Sequence, residues 1–220
     1  MKRYKIICWG LTYLLMHCDN IIFSEFIQKW SSDPANKGKS TAGDDRVPAW
    51  TWVGYLYHDT KVIGVPSDNL MTMLREGGTK VQKKGKETYK KQTQSGIVID
   101  QQQWPLYIGD DVVSMQPIDA LIGVEDFTRH LEVVQELGFD LLVKRAKIGS
   151  NKHIRVRPMF RQWRLEGSLT VLDEELSGLT EEVLTTIFEQ AGALCGIGDW
   201  RPSSNASGTF GKFEVEVTKI

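Results

Sequence analysis

The 220-residue sequence predicts an α+β fold, in which helices lie on one face of a β-sheet. Two stretches, 163–171 and 213–217, alternate apolar and polar side chains and are typical of half-buried strands. Two others, 126–137 and 180–193, repeat apolar residues three and four positions apart and are typical of amphipathic helices. Apolar residues make up 41% and charged residues 25% of the chain. This composition provides for a packed core and excludes disordered and collagen-like proteins.

The N-terminal part begins with an apolar strand over residues 4–9, followed by a helix over 21–30. Residues 31–48 hold three aspartates and two prolines but only one sizeable apolar residue, Val47, which predicts a mobile surface loop. Residues 79–95 are rich in lysine and almost without large apolar residues, which predicts a flexible basic arm. We interpret both stretches as insertions in a single domain that spans residues 1–220.

Between and after the insertions the pattern is more regular. Ser67 is expected to cap a helix that Gly77-Gly78 stops. Short strands are predicted at 97–99 and 104–108. Residues 139–160 have the pattern of a long β-hairpin around Gly149-Ser150-Asn151, with a bulge or a sheet edge expected at Pro158.

Positive charge is concentrated in two segments although the whole chain has a net charge of −1. Residues 75–91 hold seven basic and two acidic residues, and residues 144–165 hold eight basic and no acidic ones. Such segregation indicates polyanion binding, and the alternative is two solvated faces. The candidate nucleic-acid-binding residues in these segments are Lys80, Lys83, Lys84, Lys86, Lys90, Lys91, Lys144, Arg145, Lys147, Lys152, Arg155, Arg157, Arg161 and Arg164.

Four arginines of the second segment lie two to four residues apart on predicted extended chain. Side chains two residues apart on a strand stand roughly 7 Å apart on one face, close to the phosphate spacing of an extended single strand. Guanidinium groups also stack on bases, which ammonium groups do poorly. The sequence therefore favours nucleic-acid binding over the alternative, in which the arginines are exposed strand residues paired with acids such as Asp111 or Glu125. The lysine-rich arm is expected to bind the sugar–phosphate backbone of a nucleic acid without sequence specificity.

The segment 196–215 is dense in glycine. Glycine-rich loops let a backbone approach a phosphate closely, which makes Gly196, Gly198 and Arg201 further candidate binding residues. The alternative is a helix C-cap followed by a turn into the last strand.

The sequence indicates no catalytic residue, metal site or cofactor, because none of the common catalytic or metal-ligand motifs is present. Three cysteines, an odd number without a C-x-x-C pair, are typical of a reduced, cytoplasmic protein. The apolar run 6–16 resembles a signal peptide, but Met16-His17 does not suit cleavage and the run is too short for a bilayer. No membrane association is expected.

Three segments resemble motifs of the RAMP superfamily, which supplies the backbone subunits of multi-subunit CRISPR effector complexes. TYLL at 12–15 is similar to that superfamily's T-P-L motif, and VPSDNLMTMLR at 65–75 to its I-P-G-S-S-L-K-G-A-L-R element. Residues 195–213 resemble its C-terminal glycine-rich loop. The chain also resembles a family of tailed-phage and prophage proteins, through LLMH at 14–17, RPMFRQW at 157–163 and the ending GDWRP…FGKFEV.

The resemblance implies an RRM/ferredoxin-like βαββαβ core decorated by a thumb-like hairpin. It implies a phage-encoded protein of the host cytoplasm that coats single-stranded RNA or DNA as a homo-oligomer, a filament or a ring. Other phage subunits or host effector subunits are possible partners. In such a core the glycine loop is expected beside residues 66–69, where it would contact the bound strand.

Two alternative functions stay open at this point. One is a metal-assisted nuclease that uses loop aspartates Asp33, Asp44 or Asp45 with assistance from His17 or Asp19, because some superfamily members cleave RNA with a loop aspartate. The other is a mimic of a CRISPR subunit that inhibits host immunity.

Overall fold

The computed structural model describes residues 1–41, 43–148, 151–205 and 207–220. The chain forms two compact units. Unit 1 consists of residues 1–15, 58–113 and 161–220, and unit 2 of residues 16–57 and 114–160. The predicted insertion at 31–48 therefore belongs to unit 2, and the one at 79–95 to unit 1.

The fold combines antiparallel sheets with helices. The strands are β1 (Lys2–Gly10), β2 (Leu14–Leu15), β3 (Gly64–Pro66), β4 (Gln82–Lys84), β5 (Glu87–Thr88), β6 (Ile97–Ile99), β7 (Gln103–Ile108), β8 (Asp111–Val112), β9 (Asp140–Ile148), β10 (Asn151–Phe160), β11 (Arg164–Val171) and β12 (Phe213–Lys219). The helices are α1 (Ile21–Ser32), α2 (Ser67–Gly78), α3 (Lys90–Ser95), α4 (Gln116–Asp119), α5 (Phe127–Glu136), α6 (Glu174–Ser177) and α7 (Glu181–Gln190). Short 3₁₀ turns occupy Pro34–Asn36 and Thr51–Tyr55, and a π-helical turn at Ala191–Cys195 extends α7. The predicted α+β class is confirmed.

Unit 1 is built on an antiparallel sheet with the strand order β12-β1-β11-β7-β3. Strand β6 pairs with the far end of β11, and β8 pairs with β7. In the centre Ile6 lies opposite Gly167 of β11 on one side and Val217 of β12 on the other. The first and the last strand of the chain are therefore neighbours.

One face of this sheet and two helices form the core of unit 1. Alternate residues of β1, Tyr4, Ile6 and Cys8, are at most 1% exposed. Helix α7 contacts α2 and β12, and the ring of its Phe188 stacks on Trp104 of β7 at a centroid distance of 6.5 Å. Burying each such side chain contributes about 1.5–3 kcal/mol to stability.

Unit 2 contains the antiparallel pair β9–β10, with Pro158 opposite Leu141. Pro158 lies inside β10 and the register with β9 continues through it, so of the two predicted alternatives, a bulge or a sheet edge, the bulge is absent. A proline lacks an N–H donor but fits a strand wherever no ladder partner requires one. Residues Gly149 and Ser150 of the predicted turn lie outside the described residues. The apolar core includes the stacked rings of Phe139 and Phe160, 4.8 Å apart.

Of two predictions on the ends of α2, the one on its N-cap is wrong. Pro66 is the N-cap of α2, and Ser67 is its first residue without a capping side-chain bond, because the chain passes from β3 into the helix without a spacer. The second prediction, that Gly77-Gly78 stops this helix, is confirmed, because Gly78 is its last residue and Thr79 its C-cap. A Cβ at Gly77 would lie 2.7 Å from the Cβ of Ala191, so this glycine also permits close packing against the end of α7.

The lysine-rich stretch is more ordered than the sequence indicates. A hairpin of β4 and β5 turns at Gly85, which has a positive φ of 58°, and α3 follows directly. Thr93 of α3 is fully buried and donates a hydrogen bond to the Tyr89 carbonyl. A short polar side chain thus anchors a segment that lacks large apolar residues.

Candidate nucleic-acid interface

Arg155 of β10 is held by a carboxylate from the same unit. Its Nη1 donates to Oδ1 of Asp45 at 2.9 Å. The loop that carries Asp45 runs along β10, because the amide of Asp45 donates to the Ile154 carbonyl and the amide of Ile154 to that of Gly43. Asp45 is 7% exposed and its pairing with Arg155 fixes this loop on the strand.

The second oxygen of Asp45 is also satisfied. Its Oδ2 accepts from the Tyr55 hydroxyl at 3.1 Å and from the Val156 amide at 3.3 Å. Burial, with the nearby charge of Asp45, raises the pKa of Tyr55 to about 12, so its hydroxyl remains a donor at neutral pH. A buried carboxylate needs such partners, and Arg155 is one of them.

Arg157 is buried as well. It is 8% exposed, and its Nε donates to Nδ1 of His17 at 3.2 Å. The His17 ring in turn contacts the Tyr55 ring, with a centroid distance of 4.5 Å and an angle of 39° between the ring planes. Arg155 and Arg157 thus belong to one polar network within unit 2 instead of pointing freely to solvent.

The two arginines nearest the C-terminal end of the stretch contact aromatic rings of unit 1. Arg161 is exposed and lies over Tyr13, with 5.4 Å from its Cζ to the ring centroid. Arg164 lies between Trp9 and Tyr107, at 5.0 and 4.7 Å, and its Nε is 2.8 Å from Glu166. A guanidinium group that contacts two rings and a carboxylate has little freedom to bind the phosphates of a nucleic acid.

Three basic side chains of this stretch are exposed on the β9–β10 pair: Lys144, Arg145 and Lys152. The side chain of Lys147 lies outside the described residues. The predicted arginine surface is therefore reduced, on the strand pair itself, to a smaller group in which lysine predominates.

The lysine segment, residues 80–91, has the opposite character. All six of its lysines are exposed. Within the residues that the structure describes, none of them has a carboxylate at ion-pair distance. Lys83 donates to the Ser177 carbonyl at 3.3 Å and lies 5.8 Å from the Tyr89 ring centroid. These six are Lys80, Lys83, Lys84, Lys86, Lys90 and Lys91.

The glycine loop, residues 196–211, contacts the C-terminal end of α2. Nη2 of Arg201 lies 3.2 Å from Oε1 of Glu76, and the Ser203 hydroxyl donates to Oε2 of the same carboxylate. The expected contact was with residues 66–69, at the other end of the helix, and that placement is wrong. The ion pair with Glu76 brings Arg201 to this end.

Backbone amides of the glycine loop are used within the fold. Gly198 has a φ of 83°, and a Cβ there would lie 2.4 Å from the Leu15 carbonyl oxygen. These glycines thus permit close packing of the backbone. The amides in the pairs below already donate within the protein, so they cannot form the phosphate-binding site that the density of glycine suggested. The donor–acceptor pairs are Gly196 to Ala191, Ile197 to Gly211, Asp199 to Leu15 and Gly211 to Tyr13.

Each of the three loop aspartates has a partner within the protein. Asp33 caps the 3₁₀ turn that follows it, Asp44 pairs with Arg46, and Asp45 pairs with Arg155. In the described part of the chain, no three His, Cys, Asp or Glu residues lie together in a way that could hold a metal ion.

Sequence reasoning missed the residues that neutralise the arginines. Asp45 is 110 positions from Arg155. Glu166 is separated from Arg164 by one residue on β11, and no contacts were assigned to the side chains of this strand from the sequence. No local signal connects Asp45 to Arg155. The alternation of β11 does place Arg164 and Glu166 on one face, and this pair could have been found.

Comparisons with known proteins do not assign a family. No protein-family model matches the chain, and no curated protein sequence matches it. Among the described residues, no helix has both the length and the apolar composition needed to cross a bilayer.

Proposed function

We propose that this protein binds single-stranded nucleic acid through the lysine segment. The observation that carries the proposal is that six exposed lysines lie within twelve residues, with no carboxylate paired to any of them in the described chain. An ammonium group without an internal counter-ion can neutralise a phosphate, which releases a cation condensed on the nucleic acid, and this release drives binding.

The geometry of the segment suits contacts with the sugar–phosphate backbone. Lys84 and Lys86 flank Gly85 at the tip of the β4–β5 hairpin, where no other described atom lies within 4 Å of a Cβ built on the glycine. The tip therefore projects into open space. Lysine is a compact charge without the fork that reads base edges, so we expect binding of low sequence specificity.

The architecture of unit 1 supports an RRM/ferredoxin-like interpretation of this unit. With β1, α2, β6 and β7, β11, α7 and β12 taken as the successive elements of a βαββαβ core, the order β12-β1-β11-β7 corresponds to 4-1-3-2. All neighbouring strands in it are antiparallel. The β9–β10 pair takes the place of the thumb-like hairpin in this proposal.

The proposal extends to the biological setting. We place the protein in the host-cell cytoplasm as a phage-encoded, RAMP-like subunit that coats a strand as a homo-oligomer. The sequence motifs shared with both families and the three cysteines without a disulfide support this setting.

The proposal is tested by neutralising part of the lysine segment. Lys83→Gln/Lys84→Gln/Lys86→Gln should weaken binding of a labelled single-stranded oligonucleotide, RNA and DNA compared, in an anisotropy titration. Three lost phosphate contacts should lower the slope of log affinity against log salt by about 2.

The matched control removes three exposed lysines elsewhere, Lys2→Gln/Lys37→Gln/Lys39→Gln. The change in net charge is the same, so a general electrostatic effect would weaken both variants equally. Equal affinities and slopes for the two variants would overturn the assignment to the lysine segment, and absence of binding by the unaltered protein would overturn the function.

A further inference from the structure

We propose that helix α1 is a self-association surface, on which the α1 helices of two copies of this chain pair antiparallel across a two-fold axis. The proposal gives the homo-oligomer a contact surface and in that respect rests on the proposed function.

The outer side of α1 is unusually apolar for an exposed helix. Ile21, Ile22 and Phe26 are 78%, 68% and 44% exposed, whereas Phe23 is the one buried residue of the helix. Ile22 and Phe26, one turn apart on a helix of twelve residues, form an exposed apolar strip of the kind that marks interaction sites.

The inner side of α1 is already packed within unit 2. The Phe23 ring lies 5.3 Å from Trp50, edge to face, and a Cβ on Gly54 would lie 2.3 Å from it. Phe23 fills this position, so the side of α1 that carries Ile22 and Phe26 cannot also turn inward. It is left for another molecule.

Charges beside the apolar strip determine which molecule fits. Successive helical residues are 100° apart, so Ile22 and Phe26 form one line along the helix and Glu25 and Lys29 a second line on the same flank. Among the described residues neither Glu25 nor Lys29 has an ion-pair partner, and both line an open cleft of the helix surface. Within the helix, this flank thus offers one negative and one positive charge, four residues apart. Asp33, the C-cap of α1, lines the same cleft and accepts a hydrogen bond from the Ala35 amide.

This arrangement is complementary to itself. When two such helices pack antiparallel with their centres near residue 27, Glu25 of each lies beside Lys29 of the other, and the two Phe26 rings meet at the centre. A two-fold axis makes both ion pairs identical, as closed dimers require. A nucleic acid would be repelled by Glu25 and would gain nothing from Ile22, so a second copy is the occupant that fits.

The contact is small, since a twelve-residue helix is about 18 Å long. A weak dimer is therefore expected, and it should be followed over a concentration series by light scattering and native mass spectrometry without nucleic acid. Phe26→Asp should abolish association. Leu176→Asp, at an apolar residue that is 83% exposed on α6, is the matched control and should leave association unchanged.

Charge exchange gives the decisive test. Glu25→Lys and Lys29→Glu each place like charges at both contacts, so each variant alone should associate roughly tenfold more weakly. A mixture of the two variants should form a heterodimer, because positions 25 and 29 then both carry lysine in one chain and glutamate in the other. The double variant Glu25→Lys/Lys29→Glu should restore the homodimer.

Two outcomes would overturn the proposal: association of Phe26→Asp as strong as that of the unaltered protein, or homodimers without any preferential heterodimer in the mixture. Binding of a short oligonucleotide by the Phe26→Asp protein separates this result from the proposed function. If the variant is monomeric and still binds, both stand, and if it associates normally and still binds, only the α1 surface fails.

Discussion

Asp45 is a buried carboxylate with hydrogen bonds from Arg155, Tyr55 and the Val156 amide. Removing the Arg155 guanidinium would leave the other two donors in place, but the negative charge of Asp45 would then have no counter-ion. The energetic cost falls on folding, because the carboxylate stays buried while its counter-ion is gone. Arg155 is accordingly a structural residue, although it belongs to the most basic stretch of the sequence.

Arg155→Ala should lower the free energy of unfolding by about 1–3 kcal/mol, because Asp45 loses its charged partner. Nucleic-acid affinity should stay within twofold of the unaltered value. Urea titrations of Arg155→Ala, Asp45→Ala and the double variant measure the coupling between the two residues. Additive losses, or a fall in affinity without a loss of stability, would contradict the structural role.

His130 is another residue whose surroundings decide its chemistry. It lies on α5 and is 0% exposed. Its Nδ1 accepts from Nε1 of Trp52 at 3.0 Å, and its Nε2 is 2.8 Å from the Val124 carbonyl. The ring is therefore neutral with its proton on Nε2, and Nδ1 cannot accept a second proton without losing the Trp52 bond.

The stability of the protein should fall as the pH drops below about 6.5. Burial lowers the pKa of His130 from its ordinary value of 6.5, so the unfolded chain takes up the proton more readily than the folded one. Stability from this residue is complete above pH 6.5 and is lost as the pH falls toward the folded-state pKa. Urea unfolding at pH 7.5 and 5.5 measures the loss.

In His130→Gln the same pH change should cost less stability, because glutamine does not titrate. His58→Gln is the control, since His58 is only partly buried. A pH dependence that is identical in His130→Gln and in the unaltered protein would assign the acid sensitivity to other groups.

At the scale of whole elements, the glycine loop is held by backbone contacts. Gly198 needs its positive φ and also the space that a Cβ would take from Leu15. The loop thereby fastens the segment after β1 to the segment before β12. Its sequence resembles a phosphate-binding loop because both uses require glycine for close approach.

Gly198→Ala should destabilise the protein by about 3 kcal/mol, from left-handed backbone strain and overpacking together. Gly38→Ala is the control, because Gly38 has nearly the same φ of 84° and a Cβ there would meet no described atom within 4 Å, so about 1 kcal/mol is expected. Equal losses in thermal unfolding would show that the clash with Leu15 is relieved at no cost.

Regular elements were predictable where a local pattern determines them. The alternation in β11 and β12 and the capping residues Asp126 and Thr180 define their elements without help from distant residues. The exposure of α1 was not predictable, since an apolar stripe does not reveal whether the same chain or another covers it. The partners of the arginines depend on contacts between remote segments, which periodicity does not contain.

On the scale of the molecule, the chain passes between the two units at residues 15/16, 57/58, 113/114 and 160/161. Neither unit is continuous in sequence. Many of their contacts therefore join residues that are distant along the chain, and such contacts slow folding. The lysine segment belongs wholly to unit 1, and the β9–β10 pair to unit 2, so the two basic regions can be altered independently.

A circular permutant tests the arrangement of unit 1. The Ile220 amide donates to the Arg3 carbonyl at 2.9 Å, so a short glycine–serine linker can join the ends. A chain reopened at Gly85, the exposed tip of the β4–β5 hairpin, should fold with a circular dichroism spectrum like that of the original. Reopening at Gly167-Ser168 inside β11 is the control and should prevent folding. If the permutant reopened at Gly85 also failed to fold, the two termini would not be adjacent.

The pairing of β1 with β12 also has a mechanical consequence. The strands are antiparallel, and Tyr4 lies opposite Lys219 at the end of the ladder where both termini leave the sheet. A force that pulls the termini apart therefore acts on that end alone, along the direction of the interstrand hydrogen bonds. The hydrogen bonds therefore break one pair at a time, and β12 separates from β1 at a low force. The same ladder would resist that force if it were loaded in shear, because all of its bonds would then share the load.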